Sequence, residues 1–129
     1  MIIEIDDSKT IDDIQEKFND FFPFLKMEFY RHPHRWSEGS VTEETFPGNT
    51  SIGEIRKNHV HGDMKIYSWQ KTGSVEQEFR NRFGINVQIF RLHGNTWVQT
   101  VGTDDLSLHE QNETGMNASH NFLQGRNTN

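Results

Sequence analysis

The sequence predicts an α+β fold: two βαβ units, then an added hairpin strand and a C-terminal helix, in an antiparallel or mixed sheet with helices on one face. A ferredoxin-like arrangement is the first expectation. Three observations carry this. Apolar residues alternate every second position in some stretches and recur every third or fourth in others. Ile14, Phe18, Phe22 and Pro23 match Val75, Phe79, Phe83 and Gly84 at a spacing of 61, and Leu25 to Arg31 match Ile85 to Arg91 at 60. His93-Gly94-Asn95-Thr96 then offers the Gly and Asn that a tight hairpin turn prefers. Shared periodicity alone would produce this likeness, as would internal duplication; both give the same architecture.

Met1 to Ile5 alternates as a strand. Thr10 precedes two acids, Asp12 and Asp13, which suit the positive end of a helix dipole. Ile11, Ile14, Phe18 and Phe21 or Phe22 form the helix's apolar stripe, and Pro23 ends it. Leu25, Met27 and Phe29 alternate with Lys26, Glu28 and Tyr30 as a half-buried strand. Residues 31–63 form a long connection, either an extra hairpin over Val41 to Phe46 and Ile52 to Arg56 or a functional loop. Met64 to Trp69 reads as the next strand. Ser74-Val75-Glu76-Gln77 has the spacing of a capping box, and Val75, Phe79 and Phe83 share the helical face behind it. Gly84 suits a left-handed helix end. Ile85 to Phe90 and Trp97 to Val101 flank the turn. Thr103-Asp104-Asp105 offers caps for a last helix through Leu106 and Leu108, with Gly115 as its stop. One domain over 1–115 and a flexible polar tail over 116–129 follow.

Composition narrows the function classes. Apolar residues make up only 32% of the chain and mean hydropathy is −0.83, yet 10 Phe and 3 Trp concentrate apolar area in large rings. A formal charge of −6 argues against nucleic acid and anionic membranes, both of which favour a basic surface. With no cysteine, thiolate chemistry is excluded. The first residues lack a basic segment followed by a long apolar run, so no secretory signal is expected, and no run of apolar residues is long enough to span a bilayer.

If Leu25, Met27, Phe29, Ile85, Val87 and Ile89 face the helices, the opposite face shows Tyr30, Tyr67, Trp69, Gln88, Phe90 and Trp97, a mixture of rings and amides. Such a face is covered by the last helix, pairs with a second copy, or binds a ligand or protein partner. Arg31 and Arg91, at matched strand ends, suit an anion if they converge, and otherwise make structural ion pairs. His32-Pro33-His34 and His59-Val60-His61 are two His-x-His pairs; on extended chain each pair points one way and can grip a metal, with Glu43, Glu44, Asp63 or His93 completing the set. Asp104 and Asp105 near His109 fit a helix cap better than acid–base catalysis. There is no phosphate loop and no nucleophile elbow.

The run Phe83 to Arg91, with Trp97, Thr103-Asp104-Asp105-Leu106 and Gln111-Asn112, resembles small uncharacterised proteins of Bacteroidetes-type bacteria. The resemblance implies a bacterial, cytoplasmic setting and carries no activity or site residues. The leading expectation is a non-enzymatic binding or assembly module, needing no cofactor, that works as a homodimer or with a protein partner. The alternative is a metal-binding protein or metal-dependent hydrolase using His32, His34, His59 and His61.

Overall fold

Ile3 and Ile5 alternate with Ile2 and Glu4, and that two-residue period builds the first strand, β1 (Ile2–Ile5). The computed structural model describes residues 1–32 and 45–127. After β1 come α1 (Ile11–Phe21), β2 (Leu25–Tyr30), α2 (Ile52–Ile55), β3 (Gly62–Lys65), α3 (Thr72–Phe83), β4 (Asn86–His93), β5 (Thr96–Gln99) and α4 (Leu108–Asn127). The class is α+β, with four helices and two antiparallel sheets among the described residues. One apolar cluster draws on both sheets and all four helices, with Phe18, Phe29, Phe79 and Phe83 at its centre.

The sheet is divided, unlike a ferredoxin-like one. β1 pairs with β3, and β2 with β4, which continues to β5. A ferredoxin-like sheet would join β2 and β3 as neighbouring hairpin strands. Here the connection between them carries a turn and a helix of its own, so each strand pairs with its counterpart in the other unit. Leu25 faces Arg91, Glu28 faces Gln88 and Tyr30 faces Asn86. Shifting this register by 60 positions and exchanging the strands leaves it unchanged, as a local two-fold through the Glu28–Gln88 pair requires.

The correspondence extends well beyond the strands. Ile11 N–H donates to Thr50 O (3.0 Å) and Thr72 N–H to Leu106 O (2.9 Å). Asp12 N–H donates to Gly48 O (2.8 Å) and Gly73 N–H to Asp104 O (3.0 Å). Ile52 N–H meets Lys9 O (2.8 Å) as Leu108 N–H meets Gln70 O (3.0 Å). Gly53 N–H meets Asp7 O (3.2 Å) as His109 N–H meets Ser68 O (2.9 Å). The four-residue α2 is therefore the counterpart of the start of α4, and Ile52 and Leu108 are both fully buried. The repeated unit is strand, helix, strand, connection, helix. Each unit's last helix also fastens the other unit: Arg56 Nη1 donates to Phe83 O (3.0 Å), and Phe24 N–H donates to Asn112 Oδ1 (2.9 Å).

Local signals and tertiary capping diverge at α3. At α1 the Thr10 cap is part of a full capping box, with Asp13 N–H on Thr10 Oγ1 and Thr10 N–H on Asp13 Oδ2. α3 begins two residues before Ser74, which lies exposed inside it. Its first amides are taken by Leu106 and Asp104 carbonyls, so no local cap is needed. Asp104 does not cap α4; Ser107 and Glu110 form that box instead. Ile52–Ile55 is helical rather than part of a hairpin, and Val41 to Glu44 lie outside the described residues.

Gly115 does not stop α4, which continues to Asn127. A β-carbon there would sit 2.9 Å from Phe24 Cβ and 3.1 Å from Leu92 O. The glycine allows the helix to approach the sheet closely. β2 is the edge of its sheet, and α1 protects that edge: Asn19 Nδ2 donates to Leu25 O and Gln15 Nε2 to Met27 O, both at 2.8 Å.

Candidate functional site

Strand alternation divides the expected aromatic face into two places. On the β2-β4-β5 sheet, Lys26, Phe90 and Gln99 fall in one row across three strands, and Trp97 pairs with Leu92 beside it. Lys26 Nζ lies 5.3 Å from the Phe90 ring centre and 5.1 Å from that of Trp97, and also 3.4 Å from Glu28. This cation–π cluster is half-buried. Tyr30 and Gln88, on the same face, are buried, at 3% and 0% exposure, so the centre of the face is no open platform. Burial, then the charge of Glu28, pushes the Tyr30 hydroxyl up to about 12. α4 does not cover this face. It meets the sheet on the side of Arg91, whose Nη1 donates to Gln111 Oε1 at 2.7 Å and which shares its row with inward-facing Leu25.

Tyr67 and Trp69 belong elsewhere. They follow β3 on the connection to α3, with Tyr67 N–H held by Gln70 Oε1 (2.8 Å) and Ser68 O by His109 N–H. Their rings stack at 5.5 Å with planes 14° apart, and Tyr67 is 47% and Trp69 71% exposed. Ile2, paired with Lys65 on the same outward side of the β1–β3 ribbon, is 48% exposed. Exposed, stacked rings anchored on a hydrogen-bonded turn are apolar surface of the kind that marks contact sites.

Arg31 and Arg91 do not converge. In an antiparallel pair, matched strand ends lie at opposite ends of the ladder; Arg91 faces Leu25, while Arg31 follows Tyr30. Arg31 covers the Phe46 ring, 4.4 Å from its centre.

The second histidine pair does point one way, but toward a carboxylate already engaged. His59 Nδ1 lies 2.8 Å and His61 Nε2 3.7 Å from Asp7 Oδ2, while Arg56 Nε and Nη2 donate to Asp7 Oδ1 at 3.1 and 2.9 Å. Partial dehydration raises the Asp7 pKa, but Arg56 and His59 outweigh it and hold the carboxyl below its usual range. Asp7, His61, Glu4, Asp6 and Asp63 line an open groove of about 520 Å³. Among the described residues no three His, Asp or Glu side chains are arranged to hold a metal. His32 is exposed beyond β2, and His34 lies outside the described residues. Asp7 and Ser68 occupy equivalent positions, so the acidic groove and the aromatic stack are the same loop of the two units, differently furnished.

Sequence reasoning missed a buried acid. Glu76 on α3 is 5% exposed, and its Oε2 accepts Ile89 N–H at 2.7 Å. Asp104, 1% exposed, acts on it from the connection before α4. Burial, countered by the Ile89 amide and reinforced by Asp104, pushes Glu76 up to about 8. The repeat held the clue: Glu76 aligns with Gln15, next to the apolar stripe.

No protein-family model, curated protein or solved structure matches this chain significantly. No helix among the described residues is long and apolar enough to cross a membrane.

Proposed function

We propose that this chain is a small non-enzymatic binding or assembly module whose contact surface is anchored by Tyr67 and Trp69, with a second copy of the chain as the expected partner. The carrying observation is the stacked pair itself, with Trp69 71% exposed on a hydrogen-bonded turn. Trp and Tyr dominate the energetics of protein contacts because they bury much area while losing little rotamer freedom. Phe90 and Trp97 furnish a secondary patch with Lys26. The bacterial, cytoplasmic setting belongs to the same reading and rests on the resemblance of Phe83 to Asn112.

Native mass spectrometry of untagged protein tests it. Wild type is expected as a dimer, and Trp69→Ala as a monomer with an unchanged circular dichroism spectrum. A monomeric wild type, or a variant that stays dimeric, would count against the assignment.

A metal-dependent reading draws support only from His59 and His61 facing one carboxylate. It requires stoichiometric metal in untagged protein, lost in His59→Ala/His61→Ala.

A further inference from the structure

We infer, on the footing that a second copy of the chain is the partner, that the two copies meet at β1: their β1 strands pair antiparallel about a two-fold axis and join the two ribbons into one four-stranded sheet, β3-β1-β1-β3. The bonding parity of the ribbon sets this up. Met1 and Ile66 exchange both main-chain bonds, with Ile66 N–H on Met1 O at 2.9 Å and the Met1 amine on Ile66 O at 2.8 Å. Every second pair from there, Ile3–Met64 and Ile5–Gly62, is therefore of the bonded kind, and Ile2 and Glu4 turn their N–H and C=O groups away from β3. Among the described residues nothing bonds to those four groups, and no strand but β3 pairs with β1. Such a row is a template for another strand.

Two other borders are guarded. At β2 the amides of Gln15 and Asn19 hold the carbonyls of Met27 and Leu25. At β3, Arg82 Nη2 on α3 donates to Asp63 O at 3.2 Å. The repeat that aligns Phe22 with Phe83 puts Phe21 where Arg82 stands, and Phe21 has no donor to give and is 52% exposed. The β1 side of the ribbon is thus left open where the β3 side is not, and the joined sheet carries Arg82 on both outer borders, which disfavours further growth. The register is self-complementary. Ile2 lies opposite the second copy's Glu4, so the two Glu4 side chains do not face each other. The outer row then runs Lys65, Ile2, the second copy's Glu4 and the second copy's Asp63, with a cation at one end and two acids at the other. The inner row runs Met64, Ile3 and the second copy's Ile3 and Met64, apolar throughout.

Amide hydrogen exchange followed by NMR, at a concentration where native mass spectrometry finds the dimer, tests the edge. Protection of the Ile2 and Glu4 amides is expected to exceed that of the outward-facing Lys65 amide by roughly tenfold or more, and to be lost on dilution to the monomer. In a mixture of isotope-labelled and unlabelled chains, a filtered contact is expected between the Ile3 α-protons of the two copies. Glu4→Pro removes one outward N–H and no bond to β3, and is expected to be folded and monomeric. A folded Glu4→Pro that stays dimeric would overturn the inference. So would a wild-type dimer whose Ile2 and Glu4 amides exchange as fast as Lys65 and which shows no Ile3 contact, and that result would leave the assembly at Tyr67 and Trp69 standing. A monomeric wild type would overturn both. If Glu4→Pro does not fold, the wild-type protection and the Ile3 contact decide.

Discussion

Gly115 and Glu76 show how single residues here reverse their usual effect. Replacing a mid-helix glycine by alanine ordinarily stabilises by up to about 1 kcal/mol. At Gly115 the new methyl would strike Phe24 Cβ and a backbone carbonyl, which cannot swing aside. Gly115→Ala is expected to lower unfolding free energy in urea by about 1–3 kcal/mol. A gain would mean that α4 does not approach the sheet so closely. For Glu76, the folded protein holds a proton that the unfolded chain releases at its ordinary carboxyl pKa, from 4.5 up to about 8. The associated stability is complete below the lower value and lost as pH rises through the upper one. Urea midpoints should therefore decline across that interval in wild type and flatten there in Glu76→Gln. Asp7 acts at the other end. Its lowered pKa stabilises above the usual carboxyl range and is lost on acidification through the folded value.

The elements differ in how they are capped, and this decides what each cap mutation does. Thr10 closes a box on its own helix, so Thr10→Ala should cost about 1 kcal/mol. Ser107→Ala should cost about the same at α4. Ser74→Ala should change denaturation midpoints very little, because α3 is capped by carbonyls from residues 104 and 106. A large loss at Ser74 would contradict the observed start of α3. The contrast also shows what a sequence reveals. The Thr10 cap is legible because donor and acceptor lie three residues apart. The α3 cap is not, because its acceptors lie 34 and 31 residues downstream of the amides they take, and displace a good local motif. Likewise Gly115 carries a stop signal that packing against Phe24 overrides. Strand alternation correctly puts Leu25, Met27, Phe29, Val87 and Ile89 inside, but it does not say which outward residues are then covered: Tyr30 and Gln88 prove buried, Trp69 bare.

Across the whole molecule, matched hydrogen bonds support internal duplication over mere shared periodicity. Periodicity explains two similar βαβ units. It does not explain why Thr72 finds Leu106 as Ile11 finds Thr50. The likeness was visible in Phe18 and Phe79, but the pairing of each strand with its counterpart was not, since register between distant strands leaves no local mark. The units are also interlocked, through Arg56 on Phe83 and Asn112 on Phe24. The first unit alone, residues 1–61, is therefore expected to be unfolded as a monomer by circular dichroism. A cooperative, monomeric half would show that the interlock is dispensable.

The amides of Gln15 and Asn19 on the rim of β2 have a consequence for association. By occupying the carbonyls of Met27 and Leu25, they remove the template on which a neighbouring chain would lay down another strand. Open-ended stacking of strands at this border is thereby disfavoured. Removing both amides would bare those carbonyls and leave this border open to pairing with a strand of another chain.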